Sequence, residues 1–142
     1  MTNYEQMKEI LLAFADDYNQ KTFIEAKISD VSEDKEETVR TGVPKYVYEK
    51  NRQDMDIIDM DEIAHNIYRL VRFPDSKKES DSLASSDAFV ISSENIWYFI
   101  EFKNQQIAKA KESVTKKAYQ NWYWLVDILY EMWEKNEMQY DT

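Results

Sequence analysis

The chain of 142 residues contains no cysteine, so disulfides, thiolate zinc sites and cysteine nucleophiles are all excluded. Any resident metal must therefore be held mainly by oxygen. One glycine and two prolines are too few for a turn-dense β-sandwich and favour long helices joined to a few strands. No apolar run approaches the length of a membrane span, and residues 1–10 carry charged and polar side chains where a secretory signal needs an apolar stretch. A soluble, cytoplasmic protein without a membrane partner is expected. Histidine occurs once, as His65, with no acid partner legible beside it, and reads as a surface or packing residue.

What the chain does have is apolar and acidic. Hydrophobic residues make up 43% and aromatics 14%, enough to offset the ordering of the backbone in one globular domain spanning 1–142. Against 18 basic residues stand 28 acids, and a net charge of −10 disfavours holding nucleic acid by bulk electrostatics.

Periodicity divides the chain. Tyr4, Met7, Ile10, Leu11, Phe14 and Tyr18 predict a helix over 3–19 with one buried stripe. Alternation of Phe23, Glu25 and Lys27 against Ile24, Ala26 and Ile28 predicts a half-buried strand over 22–29. The acid-rich segment 30–37 reads as a solvated loop, and Tyr46, Val47 and Tyr48, after Gly42 and Pro44, as a short edge strand. Ile57, Ile58, Ile63, Ile67 and Leu70 predict a helix over 54–72 that ends before Pro74, and the serine-rich stretch 75–86 a loop. Ala110, Val114, Ala118, Leu125, Leu129 and Met132 predict a long helix over 107–135. Its tryptophans and tyrosines exceed what one buried face needs, which marks core or a homodimer surface before a base-stacking platform.

Segments 87–92 and 96–103, both rich in β-branched and aromatic residues, flank Ser93, Glu94 and Asn95 and predict a β-hairpin. A hairpin symmetric about Glu94 sets Asp87 directly across from Glu101, with Cβ atoms about 4.5–5.5 Å apart. Two carboxylates at that spacing can share a divalent cation. Lys103, two residues beyond Glu101, projects from the same face. Two acids, one amine and a hard cation such as Mg²⁺ (or Mn²⁺) suit phosphodiester hydrolysis: the ion acidifies its water, and the amine stabilises charge gathering on the transition state. Acid-x-Lys occurs four times, and Glu101-Phe102-Lys103 alone ends a strand with an Asp opposite and a long helix after it. Glu25-Ala26-Lys27 ranks second.

Ser86-Asp87, then Glu101-Phe102-Lys103 across a hairpin, then a helix, resembles the PD-(D/E)XK nuclease superfamily. The resemblance implies an α+β fold: a small mixed or antiparallel sheet with a central hairpin, flanked by long helices, in a restriction-endonuclease-like core. That core would comprise 1–29 and 87–135, with 30–86 as an insertion. It implies Asp87 and Glu101 as metal ligands, the Phe102 backbone carbonyl completing the site, Lys103 as a catalytic residue, and a third acid from the first helix, Glu5 or Glu9. Ser86 stands where the family motif has proline, and residues 136–142 leave little chain for the family's last strand.

Residues 103–119 hold five lysines and one acid, a local positive patch in an acidic chain. Lys109, Lys116, Lys117 and Gln120 are the candidate contacts to DNA or RNA, with Gln105 and Gln106 beside them; the competing reading is a solvated helix face. The expectation is a metal-dependent nuclease. The alternative is a catalytically inactive nuclease-fold protein that binds a protein partner, for instance an acidic toxin-neutralising or accessory protein.

Overall fold

The computed structural model describes residues 1–20, 23–46, 54–75, 84–102 and 107–140, with the side chains of 107–110 and 137–140 excepted. Lys103, Gln105, Gln106, the side chain of Lys109, Val47, Tyr48 and most of the expected loop 75–86 lie outside the described residues.

Helix α1 (Asn3–Asp17) begins at a capping box: the Thr2 hydroxyl accepts from Glu5 N, and the Glu5 carboxylate accepts from Thr2 N. The reciprocal pair satisfies two N–H groups that the first helical turn leaves open. Met7, Leu11 and Phe14 are buried at the expected spacing. Past the helix end, Asn19 takes the left-handed conformation at φ 57°, which asparagine tolerates better than most residues.

Strand β1 (Glu25–Lys27) lies inside the expected strand, which is cut short when Ile28 opens α2 (Ile28–Val31). The acid-rich segment is not a loop. It contributes to α2 and to α3 (Lys35–Thr41), where Asp34 caps the helix by accepting from Glu37 N, and Glu36 and Glu37 sit in the first turn. Carboxylates there face the positive end of the helix dipole, so acids that suggest solvation act as start signals. Gly42, at φ 72°, closes α3 in the left-handed region that disfavours a Cβ. Tyr46 forms one isolated bridge with Glu33.

The largest departure concerns 54–72. Its first part is a strand, β2 (Asp56–Asp59), and only then does the chain turn helical, through α4 (Met60–Ile63), a π-helical segment (Ala64–Tyr68) and α5 (Arg69–Arg72). Asp59 marks the switch, its carboxylate accepting from Glu62 N. Ile57 and Ile58 point to opposite faces of the sheet and both are fully buried, as expected of a strand covered on both sides. Adjacent apolar residues carry no alternation, so β2 is indistinguishable from a helical start by period.

Strands β3 (Ala88–Ile91) and β4 (Trp97–Ile100) form the expected hairpin. Its register is Ala88↔Ile100, Phe89↔Phe99, Val90↔Tyr98 and Ile91↔Trp97, symmetric about Glu94, with Asn95 at φ 62° in the turn. The sheet is four-stranded and antiparallel throughout, in the order β1-β2-β3-β4. Among the described residues the hairpin is therefore not central: β3 is interior and β4 is an edge, because β2 occupies the position between β1 and β3. Residues 56–72, expected within an insertion, supply that strand and several core side chains, among them Ile58, Met60 and Ile67.

The 34-residue α6 (Ile107–Tyr140) completes an α+β single domain. One sheet face, through Ile58, Phe89 and Phe99, packs on α1, the 60–72 helix and the buried Trp124, Leu125 and Ile128 of α6. The other, through Ile57, Ala88 and Ile100, meets Ile28 and Val31 of α2. Residues 136–140 extend α6 and form no final strand. No helix among the described residues is long and apolar enough to cross a membrane.

Candidate functional site

Asp87 immediately precedes β3 and Glu101 immediately follows β4, so the hairpin register sets them across from one another at one end of the sheet. They share the face of Phe89 and Phe99, on which α6 lies. The Asp87 carboxylate accepts from Phe102 N at 2.8 Å, which ties the acid to the main chain just past β4. The Glu101 side chain is 7% exposed and accepts from Lys117 Nζ at 2.6 Å. An amine thus meets the carboxylates, and among the described residues it comes from α6.

The helix is held there by neighbours of Lys117. Gln120 Oε1 accepts from Ala84 N at 2.5 Å, Asn121 Oδ1 accepts from Ser86 N at 3.1 Å, and Asn121 Nδ2 donates to Ser86 Oγ at 2.5 Å. Residues 117, 120 and 121 are i, i+3 and i+4, one side of a helix. Asn121 and Ser86 are buried, so the bonds of this clasp between them replace the water each would otherwise hold. Ser86 supplies both the N–H and the hydroxyl that Asn121 uses.

A third acid joins from the first turn of α4. Asp61 Oδ1 accepts from the Ser85 hydroxyl at 2.5 Å and lies 3.8 Å from His65 Nε2. Burial pushes the Asp87 carboxyl up to about 7; Phe102 N pulls it down, the charges of Glu101 and Asp61 raise it further, and Lys117 lowers it. Burial disfavours the charged Lys117 amine, but its hydrogen bond to Glu101, with the charges of Glu101, Asp87 and Asp61, outweighs burial and raises it. The cluster holds three acids and one lysine in a partly buried corner.

Of the residues singled out in the sequence, Asp87 and Glu101 are brought together. Lys103 lies outside the described residues. Phe102 adjoins Asp87 through its N–H. Glu9 is exposed on α1, on the side away from buried Met7, Leu11 and Phe14, and Glu5 is committed to the capping box, so neither joins the pair. Lys117 and Gln120, candidate nucleic-acid contacts in the sequence, bond within the chain to Glu101 and to Ala84 N. Lys116 is exposed. The second-ranked acid-x-Lys match is occupied elsewhere: Glu25 accepts from Tyr4 and Lys8, and Lys27 pairs with Asp56. Reasoning from sequence missed Asp61 and Asn121, and the polar 117/120/121 spacing was the available signal for the clasp.

No three His, Asp or Glu side chains among the described residues converge as a complete ligand set for a metal ion. A cleft of about 520 Å³ beside Tyr4, Asp56 and Val90 opens at the other end of β3 and is separate from this cluster. Comparison of the chain with family models, curated proteins and solved structures returns no match.

Proposed function

We propose that the protein is a divalent-metal-dependent phosphodiesterase acting on DNA or RNA, in which β2, β3, β4 and α6 serve as a restriction-endonuclease-like core. The observation that carries this reading is the pairing of Asp87 with Glu101 at the sheet end, with a carboxyl held near pH 7 by burial and like charge. Asp87, Glu101 and the Phe102 carbonyl would hold Mg²⁺ or Mn²⁺. The ion supplies Lewis acidity and a water of lowered pKa. Asp87 gives up its proton as its charge is compensated, while the Glu101–Lys117 bond fixes the orientation of Glu101. Lys103 would provide the ammonium that stabilises charge on the phosphate, and Lys109 and Lys116 are the candidate contacts to the substrate backbone.

The test is cleavage of labelled DNA and RNA in Mg²⁺ by the wild type, Asp87→Asn, Glu101→Gln and Lys103→Met. Each variant is expected to lose at least about 100-fold in rate with its circular dichroism unchanged. Activity retained in Asp87→Asn or Glu101→Gln refutes the assignment. Binding of Mn²⁺, followed by calorimetry, is expected to strengthen from pH 6 to pH 8 as Asp87 ionises, and to vanish in Asp87→Asn.

A second reading is favoured by one observation: Lys117 already neutralises Glu101 at 2.6 Å. A site satisfied from within suits a catalytically inactive nuclease-fold protein that acts by binding a protein partner. Calorimetry separates the two, since that protein takes up no Mn²⁺ at any pH.

A further inference from the structure

Helix α6 is amphipathic twice. Asn121, Trp124, Leu125 and Ile128 are buried against the sheet, yet Tyr119, Trp122, Tyr123, Val126, Tyr130 and Trp133 are exposed. The five aromatics are each more than half exposed, from 54% for Trp122 to 74% for Tyr119. At 3.6 residues per turn these six positions fall in a stripe about 100° wide, on the side of the helix opposite the buried set and about 21 Å long. Tyr130 and Trp133 already touch along it, with ring centroids 6.1 Å apart. Water-facing aromatics in a continuous stripe mark an interaction surface.

We propose that this stripe is the interface of a two-fold symmetric, antiparallel dimer of the chain, with Val126 on the axis. The spacing of the aromatics is the first argument. Val126 lies midway between Tyr119 and Trp133, and midway between Trp122 and Tyr130. An antiparallel copy centred there sets Tyr119 against Trp133 and Trp122 against Tyr130, with Tyr123 opposite Leu129, which gives the self-complementarity that a two-fold axis demands. Charge is the second. Toward the N-terminal end the stripe is flanked by exposed Lys111 and Lys116, with Glu112; toward the C-terminal end by exposed Glu134. Antiparallel pairing brings the lysines of one copy toward Glu134 of the other and opposes the two helix dipoles favourably, whereas parallel pairing stacks like on like.

Area is the third argument. An aromatic side chain offers about 150–250 Å², so five at half exposure or more, with Val126, contribute roughly 600 Å² per copy. Two copies reach about 1,200 Å², the lower bound of a specific and stable interface. The arrangement is independent of whether the Asp87–Glu101 site is catalytic.

The chain has no cysteine, which makes engineered thiols unambiguous reporters. In sedimentation equilibrium the full chain is expected at twice the mass of one copy, and Tyr119→Lys combined with Trp133→Lys is expected to weaken association on the order of 100-fold with unchanged circular dichroism. Under mild oxidation Val126→Cys is expected to cross-link to itself. Tyr119→Cys and Trp133→Cys are expected to cross-link when mixed and not when alone. A monomer at all concentrations, self-cross-linking of Tyr119→Cys alone, or an unchanged mass in the double lysine variant overturns the proposal. So does a monomer whose stripe becomes protected from labelling only when nucleic acid is added.

Discussion

Two charged clusters lie along α6, and they differ in how their acids are partnered. Near its C-terminal half, Arg72 reaches Asp127 at 2.8 Å and Glu131 at 3.0 Å, Tyr68 donates to Asp127 and Tyr18 to Glu131, and Lys135 reaches Asp17 at 2.9 Å. Each of these acids has a cation in contact. At the Lys117 end, among the described residues, Glu101 has the lysine, Asp87 accepts from a main-chain N–H, and Asp61 accepts from a serine hydroxyl with His65 3.8 Å away. The first cluster is a set of bonds that joins α1 and the 60–72 helix to α6. The second brings three acids to one lysine in a half-buried corner, where burial and like charge push the Asp87 carboxyl up.

Breaking the first cluster should cost the most. Arg72→Ala leaves Asp127 and Glu131 facing each other without their shared guanidinium and removes a cation over the Phe14 and Tyr68 rings. A loss of about 2 kcal/mol is expected in urea unfolding, the penalty for breaking a buried pair discounted for the solvent that reaches these half-buried groups. A loss under about 1 kcal/mol would reduce this cluster to surface decoration and erase the contrast.

The second cluster should respond in the opposite direction. Asp87 titrates near 7 in the folded chain, whereas an unperturbed Asp titrates near 3.9. Between those values the folded chain keeps a proton that the unfolded chain has lost, so stability falls as pH rises through the window. Below about pH 4 both states are protonated and the contribution vanishes. Asp87→Asn keeps an acceptor for Phe102 N and removes the charge. It is expected to match the wild type at pH 4 and to exceed it at pH 8 by on the order of 2 kcal/mol, once solvent screening of this partly exposed group is allowed for. A variant less stable than the wild type at pH 8 would show Asp87 to be a structural acid.

The hairpin half of this site was legible in the sequence because its determinants are local. β-Branched and aromatic segments flank a short polar turn, and the symmetric register follows from the turn length. The helical half was not. Which side of α6 meets the sheet end depends on how a 34-residue helix crosses it, and Lys117 and Lys116 are equivalent until that crossing is known. Motif spacing marks Lys103, which lies outside the described residues, and a tertiary contact that no spacing announces brings Lys117 to Glu101. β2 was hidden for another reason: paired isoleucines in a strand buried on both faces have no period to betray them. The acids of 34–37 were visible but misread, since capping and solvation select the same residues.

Tyr18→Phe gives a finer test of the first cluster. The hydroxyl donates to Glu131 at 2.8 Å, and its loss should cost about 1 kcal/mol. In a cycle with Arg72→Ala the two changes should be non-additive, because both groups address the same Glu131 oxygen. Strict additivity would mean that the cluster is a row of separate bonds.

The smallest effect is expected at Lys135, although it joins Asp17, Glu131 and the Tyr18 ring, which lies 5.2 Å from the ammonium. Its side chain is 42% exposed and that of Asp17 41%, so both charges stay hydrated in the folded chain. The Coulomb gain is then screened, and holding a long side chain in place costs entropy. Lys135→Ala should cost less than about 0.5 kcal/mol at physiological salt. That small value shrinks further in high salt, whereas the Arg72→Ala penalty, rooted in a better-shielded guanidinium with two acids on it, should persist. A salt-insensitive loss above about 1.5 kcal/mol at Lys135 would extend the structural cluster to the end of α6 and make it the stronger of the two clamps on α1.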